Sequence, residues 1–110
     1  MIWQRAHALT IDVMRATLGF PREIRFELTS QLRRAVVSIP SNIAEGHSRR
    51  SDRAFASFLD MSTGSAGETE YLLLLLRDLG YLERDRSATL CSSAREVRRM
   101  LSAFRNNLEE

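Results

Sequence analysis

The sequence predicts an all-α chain, a single domain folded as an up-down-up-down antiparallel four-helix bundle. Three observations predict it. Apolar residues recur at alternating spacings of three and four, the period of one helix face. No stretch alternates apolar and polar residues as a half-buried strand does. The connections are short, and 110 residues suit one domain, so successive helices must fold back on one another.

The first helix is predicted over residues 3–17, on the seam Ile2, Ala6, Leu9, Val13, Ala16 and Phe20. Gly19 is expected to end it in a left-handed turn, and Pro21 blocks continuation. Residues 22–27 read as a charged link. The second helix is predicted over 27–45, with Leu28, Leu32, Ala35 and Ile39 on its seam and Val36 and Ile43 widening that face. The next seam positions are Asn42 and Gly46, the latter read as the residue after the cap. Arg34, Ser38, Ser41 and Glu45 form a polar line beside the seam. Pro40 lies inside and has no N–H for the Val36 carbonyl, a loss that a donor at Ser41 or Asn42 is expected to offset. A seam Asn fixes register or partner number, so residues 38–46 read as built for a specific association.

The third helix is predicted over 52–79, with Ser51 as its N-cap and a length on the order of 40 Å. Its middle, residues 62–67, carries only small side chains, which lets a neighbouring backbone approach; the Pro40 helix is the natural neighbour. Tyr71 to Leu76 is apolar all round, more than one intramolecular face uses, and predicts a subunit interface. Gly80 and the charged residues 83–86 make the last turn. The fourth helix is predicted over 87–107, on the seam Leu90, Ala94, Val97, Leu101, Phe104 and Leu108.

Composition bounds the function. All sixteen basic residues are Arg, yet the net charge is only +2. A GC-rich genome explains a complete absence of Lys more simply than selection for the bidentate phosphate contacts that Arg makes well. The lone Cys91 rules out an internal disulfide framework and fits a reducing cytoplasm. Arg5 interrupts any leader-like run, and the longest apolar stretch is far short of a membrane span, so a cytoplasmic protein without membrane contact is expected.

Chemistry is sparse. A di-iron bundle needs Glu-x-x-His pairs, but His7 and His47 follow Gln4 and Ala44, so neither metal nor cofactor is expected. Glu45, Glu68 and Glu70 are the carboxylates available for acid–base work. Pairing of Glu68 and Glu70 with Arg33 or Arg34, in the same subunit or the next, is the stronger reading, because a buried carboxylate without a partner is costly. No phosphate loop or nucleophile elbow is present, so no catalytic residue and no enzyme is predicted. What remains is arginine. Arg95, Arg98, Arg99 and Arg105 share one face of the fourth helix, and Arg49, Arg50 and Arg53 cluster at one bundle end. A solvated face and contact with the phosphate backbone of RNA or DNA are the two readings of that surface.

Residues 28–35, Leu-Thr-Ser-Gln-Leu-Arg-Arg-Ala, with 38–46, Ser-Ile-Pro-Ser-Asn-Ile-Ala-Glu-Gly, resemble the signature of a family of four-helix-bundle proteins encoded by intervening sequences in bacterial 23S rRNA genes. The resemblance continues through residues 64–70, Leu73 and residues 79–82 and departs at Tyr71 and Leu72, where such proteins more often carry polar residues. It implies a homopentamer, a nucleic-acid role and no enzymatic activity. It also makes Arg33, Arg34, Ser38, Pro40, Asn42, Glu45, Ser65, Glu68, Glu70 and Tyr71 candidates for the oligomer interface. The expectation is therefore an oligomeric bundle that binds RNA or DNA. The alternative is a protein-interaction scaffold or accessory subunit of a nucleoprotein complex, by analogy with the related accessory proteins that assist retroelement reverse transcriptases.

Overall fold

A computed structural model of the chain describes residues 1–108; the last two residues of the predicted domain lie outside the described residues. Helix α1 (Ile2–Ala16) buries Ala6, Leu9 and Val13, three positions of its predicted seam. A short helix α2 (Arg22–Ile24) and a π-helical turn (Arg25–Thr29) lead without a break into α3 (Ser30–His47), followed by α4 (Asp52–Asp78) and α5 (Arg84–Asn106). α1 packs on α3 and α5, and α4 packs on the same two, so the four long helices form a ring with α1 and α4 on a diagonal. The bundle measures 44 × 23 × 18 Å, and α4, on the order of 40 Å long, spans nearly all of its long axis.

The predicted link at residues 22–27 is instead helical. Ile24 and Leu32 are both buried, and eight residues of α-helix would overshoot two full turns by about 80°. The wider π-helical turn between them takes up that excess and keeps both on the core side. At the other end, α3 continues through Gly46 to His47, so Gly46 does not follow a cap. A Cβ there would lie 2.7 Å from Phe58 Cβ and 2.8 Å from Phe55 Cδ1, so glycine is set by the close approach of α4. Gly19 likewise has no left-handed conformation; Gly80, at φ +87°, is the one described residue that does. There Gly80 N–H donates to Arg77 O and Tyr81 N–H to Leu76 O, a Schellman closure of α4. α5 begins earlier than predicted because the Glu83 carboxylate accepts from Arg86 N–H at 3.0 Å, with Asp85 adding negative charge to the first turn.

The core explains two further differences. Of the apolar run in α4, Leu72, Leu73 and Leu76 are fully buried, and Leu74 and Leu75 pack partly against the same core. α4 has two neighbours and therefore two buried faces, which consume most of the surplus; only Tyr71 stands out, at 60% exposed. The small middle of α4 does receive α3, as its side chains predict: Ser62 is enclosed and donates to Ile39 O at 2.9 Å. The carbonyl abandoned by Pro40 is served neither by Ser41 nor by Asn42. Asn42 Nδ2 donates to Ser38 O at 2.9 Å, one turn back in its own helix. The Val36 carbonyl is met from α1, by the Thr10 hydroxyl at 3.2 Å.

Candidate nucleic-acid interface

The arginines predicted to meet phosphate divide into two groups. On α5, Arg95 and Arg98 both reach back to Glu70 of α4, at 2.5 and 3.1 Å. Glu70 is 14% exposed, whereas both arginines are nearly half exposed, so the pair of cations covers a carboxylate that α4 holds close to the core. Arg105 is likewise engaged, with Asp60 at 3.1 Å. Arg49 pairs with Glu45 one turn earlier and lies over the Phe58 ring, 4.8 Å from its centroid. By contrast, Arg50, Arg53 and Arg99 are exposed and have no ion pair among the described residues.

The signature residues are brought together in part. Ser38 Oγ and Ser65 Oγ share a hydrogen bond between α3 and α4. Pro40 is buried and Asn42 half-buried. Within one subunit Arg33 and Arg34 do not pair with Glu68 or Glu70, which corrects that half of the expectation from sequence. Glu68 accepts from Gln31 Nε2 at 3.1 Å, while Glu70 faces α5 rather than α3. Arg33 turns instead toward α1, where its Nε donates to Thr17 Oγ1 at 3.0 Å. The Thr17 hydroxyl in turn donates back to the last carbonyls of α1, at Val13 and Met14. Arg34 is exposed and unpaired among the described residues.

Sequence reasoning missed two residues beside these. Arg25 and Phe26 lie on the π-helical turn next to Arg33 and Arg34, and Phe26 is 77% exposed. The available signal was an aromatic between charged residues, off the apolar seam.

Other chemistry is thin. No group of three His, Cys, Asp or Glu among the described residues is arranged to hold a metal ion. His7 stacks on Trp3 at 4.9 Å, and His47 meets the edge of Phe55. Cys91 is buried, and burial, with the Glu70 charge nearby, pushes its thiol above the ordinary range against a lowering hydrogen bond from Ser87. No helix of the described residues is long and apolar enough to cross a membrane.

Comparison with known proteins completes the picture. A solved structure from Bacteroides thetaiotaomicron, a protein of unknown function from the S23 ribosomal protein family, superposes with a TM-score of 0.86 at 21% identity. The match covers 94% of this chain and 97% of that one, and at this identity it speaks for the fold. No curated protein matches at a significant level. The family model for the 23S rRNA-intervening sequence protein matches residues 1–103, nearly the whole chain. With its bundle and its signature in place, the chain belongs to the 23S rRNA-intervening sequence protein family.

Proposed function

We propose that the protein is a non-enzymatic, self-associating helical bundle that binds RNA or DNA through the phosphate backbone. The observation that carries this reading is a set of exposed arginines with no carboxylate partner among the described residues; among them, Arg50 and Arg53 lie at one end, Arg99 on α5, and Arg25 and Arg34 toward the other end, while Arg15, Arg22, Arg84 and Arg86 are exposed and unpaired elsewhere on the surface. A guanidinium without an internal partner keeps its fork of donors for a phosphate. The family's name refers to 23S rRNA, which supports RNA as the first ligand to test. Exposed Leu18, Met61, Tyr71 and Leu79 support self-association, and the resemblance to the family supplies five as the number of copies.

The test is the affinity for mixed-sequence RNA and DNA across a salt series, with and without replacement of Arg50, Arg53 and Arg99 by Gln. Log affinity should fall with log salt, and the variant should flatten that slope equally for all sequences. Binding without salt dependence, or none at all, would leave the protein-interaction scaffold as the better reading. Light scattering that gives a monomer mass at micromolar concentration would sink the self-association half.

A further inference from the structure

Beside the first turn of α3 lies an open groove of about 620 Å³, walled by the π-helical turn, α3 and the Met14 side of α1. Arg25, Phe26, Thr29, Arg33, Arg34 and Val37 are among its lining residues, and no carboxylate is. A cleft lined by one sign of charge concentrates ions of the opposite sign. None of the three arginines is in an ion pair among the described residues. Arg33 is also fixed in place: its Nε is held by Thr17, which leaves both terminal nitrogens without a protein partner among the described residues. A cation fixed before the ligand arrives loses little side-chain entropy on binding.

Two more features distinguish the groove from a merely solvated basic face. Phe26 exposes 77% of its surface beside Arg25, an apolar ring that the fold leaves uncovered although the core lies a turn away. Thr29 has its hydroxyl oxygen enclosed without a hydrogen-bond partner among the described residues, a deficit of the kind that an ordered water relieves. Both residues belong to the π-helical turn, a local form found disproportionately at functional sites.

We infer that this groove is a binding site for single-stranded nucleic acid, in which an unstacked base lies on Phe26 and the adjoining phosphates sit on Arg25, Arg33 and Arg34. The inference rests on the nucleic-acid reading above and deepens it by naming the strand type and the site. A duplex offers phosphates but keeps its bases stacked inside, so it leaves Phe26 without a partner. A single strand offers both, and base stacking on an aromatic ring tolerates any sequence. An acidic peptide would satisfy the arginines but brings no flat π-face to the ring.

The test uses the full-length protein and two probes, a labelled oligouridylate and a labelled duplex of equal length. Phe26→Ala should weaken oligouridylate binding about tenfold or more and leave duplex binding within about twofold. Phe26→Trp should restore it, and a fluorescent base analogue in the strand should be quenched by wild type and not by the Ala variant. Arg25→Gln with Arg34→Gln should weaken oligouridylate binding and lower its salt slope by about 1.4 for two lost phosphate contacts on a single strand. Because these side chains lie on the surface, the melting temperature should hold. Unchanged oligouridylate affinity in Phe26→Ala, with salt-dependent binding intact in wild type, would overturn the groove and leave the broader reading standing. Absence of binding to either probe by wild type would overturn both. Displacement of the strand by oligoglutamate at equal charge concentration would reassign the groove to acidic peptides. A changed oligomer size in Phe26→Ala would reassign it to contact between copies of this chain.

Discussion

The Thr10 hydroxyl of α1 lies 3.2 Å from the carbonyl oxygen of Val36, the carbonyl of α3 that Pro40 has no N–H to serve. It shares its proton with Ala6 O, at 2.8 Å in its own helix. A proline in a helix interior ordinarily leaves that acceptor to water, but here Val36 is fully enclosed. Thr10→Val keeps the shape and removes the donor, so it should cost about 1–2 kcal/mol in urea unfolding. In a Pro40→Ala background the Ala N–H serves Val36, and the same change should cost close to nothing. Strictly additive costs would show that the hydroxyl does not compensate for the proline.

Gly46 and Gly64 should respond to alanine with opposite signs. At Gly46 the new methyl meets Phe55 and Phe58 well inside contact distance, and overpacking should destabilise by about 1–3 kcal/mol. At Gly64 nothing lies within 4 Å, so the gain in helix propensity should stabilise by up to about 1 kcal/mol. Thermal melts of the two variants check both. A loss at Gly64 would place a partner's backbone against the small middle of α4.

Arg95→Gln with Arg98→Gln should destabilise the bundle by about 1 kcal/mol, because Glu70 is left largely enclosed without its cations. Adding Glu70→Gln should recover most of that loss. Glu70→Gln alone releases both arginines, and salt-dependent nucleic-acid binding should then tighten if α5 faces the ligand. Unchanged affinity would mean that Arg95 and Arg98 do not meet the ligand.

Cys91, the one thiol of the chain, should react slowly. Its titration is displaced upward in the folded state, so the neutral form is favoured there. The linked stability is complete below the thiol range of the unfolded chain and is lost as pH rises from that value through the folded one. Alkylation by iodoacetamide at mildly alkaline pH should run about tenfold or more slower in the native protein than in urea. Equal rates would mean that the α4–α5 seam opens readily.

The long helices were legible in the sequence because their seams depend on a local period alone. Ala6, Leu9 and Val13, and likewise Leu90, Ala94, Val97 and Leu101, are buried at the spacing that named them. The start of α3 was not legible, since a π-helical turn breaks the period that would reveal it, and Ile24 falls out of phase with Leu32. The partners of Glu70 were hidden for another reason. Spacing assigns a residue to a face of its own helix and does not say which neighbour that face meets. The hairpin at Gly80 did hold a clue, because folding α5 back on α4 brings Glu70 opposite the first arginines of the outer run. For the candidate site, exposed arginines were legible as a class. Their division into paired and unpaired members, and the basic groove around Phe26, needed the three-dimensional placement of α1 and the π-helical turn.

The hydroxyls that bond between helices have a mechanical consequence. Thr10 ties α1 to α3, Ser62 ties α4 to α3, and Ser87 ties α5 to α4 through Leu73 O at 3.2 Å, while the Arg5–Glu96 ion pair joins α1 to α5. Leucine packing resists separation but tolerates sliding, whereas a hydrogen bond is lost when one helix slips by the ~1.5 Å rise of a single residue. Three of the ring's four seams are thus pinned lengthwise by a hydroxyl, while the α1–α5 seam carries an exposed ion pair. Arg25 before α3 and Arg50 beyond it are held apart by its 18 residues, about 27 Å of rigid rod. A flexible strand that grips both ends must stretch or loop to that fixed span, because the bundle will not shorten to meet it.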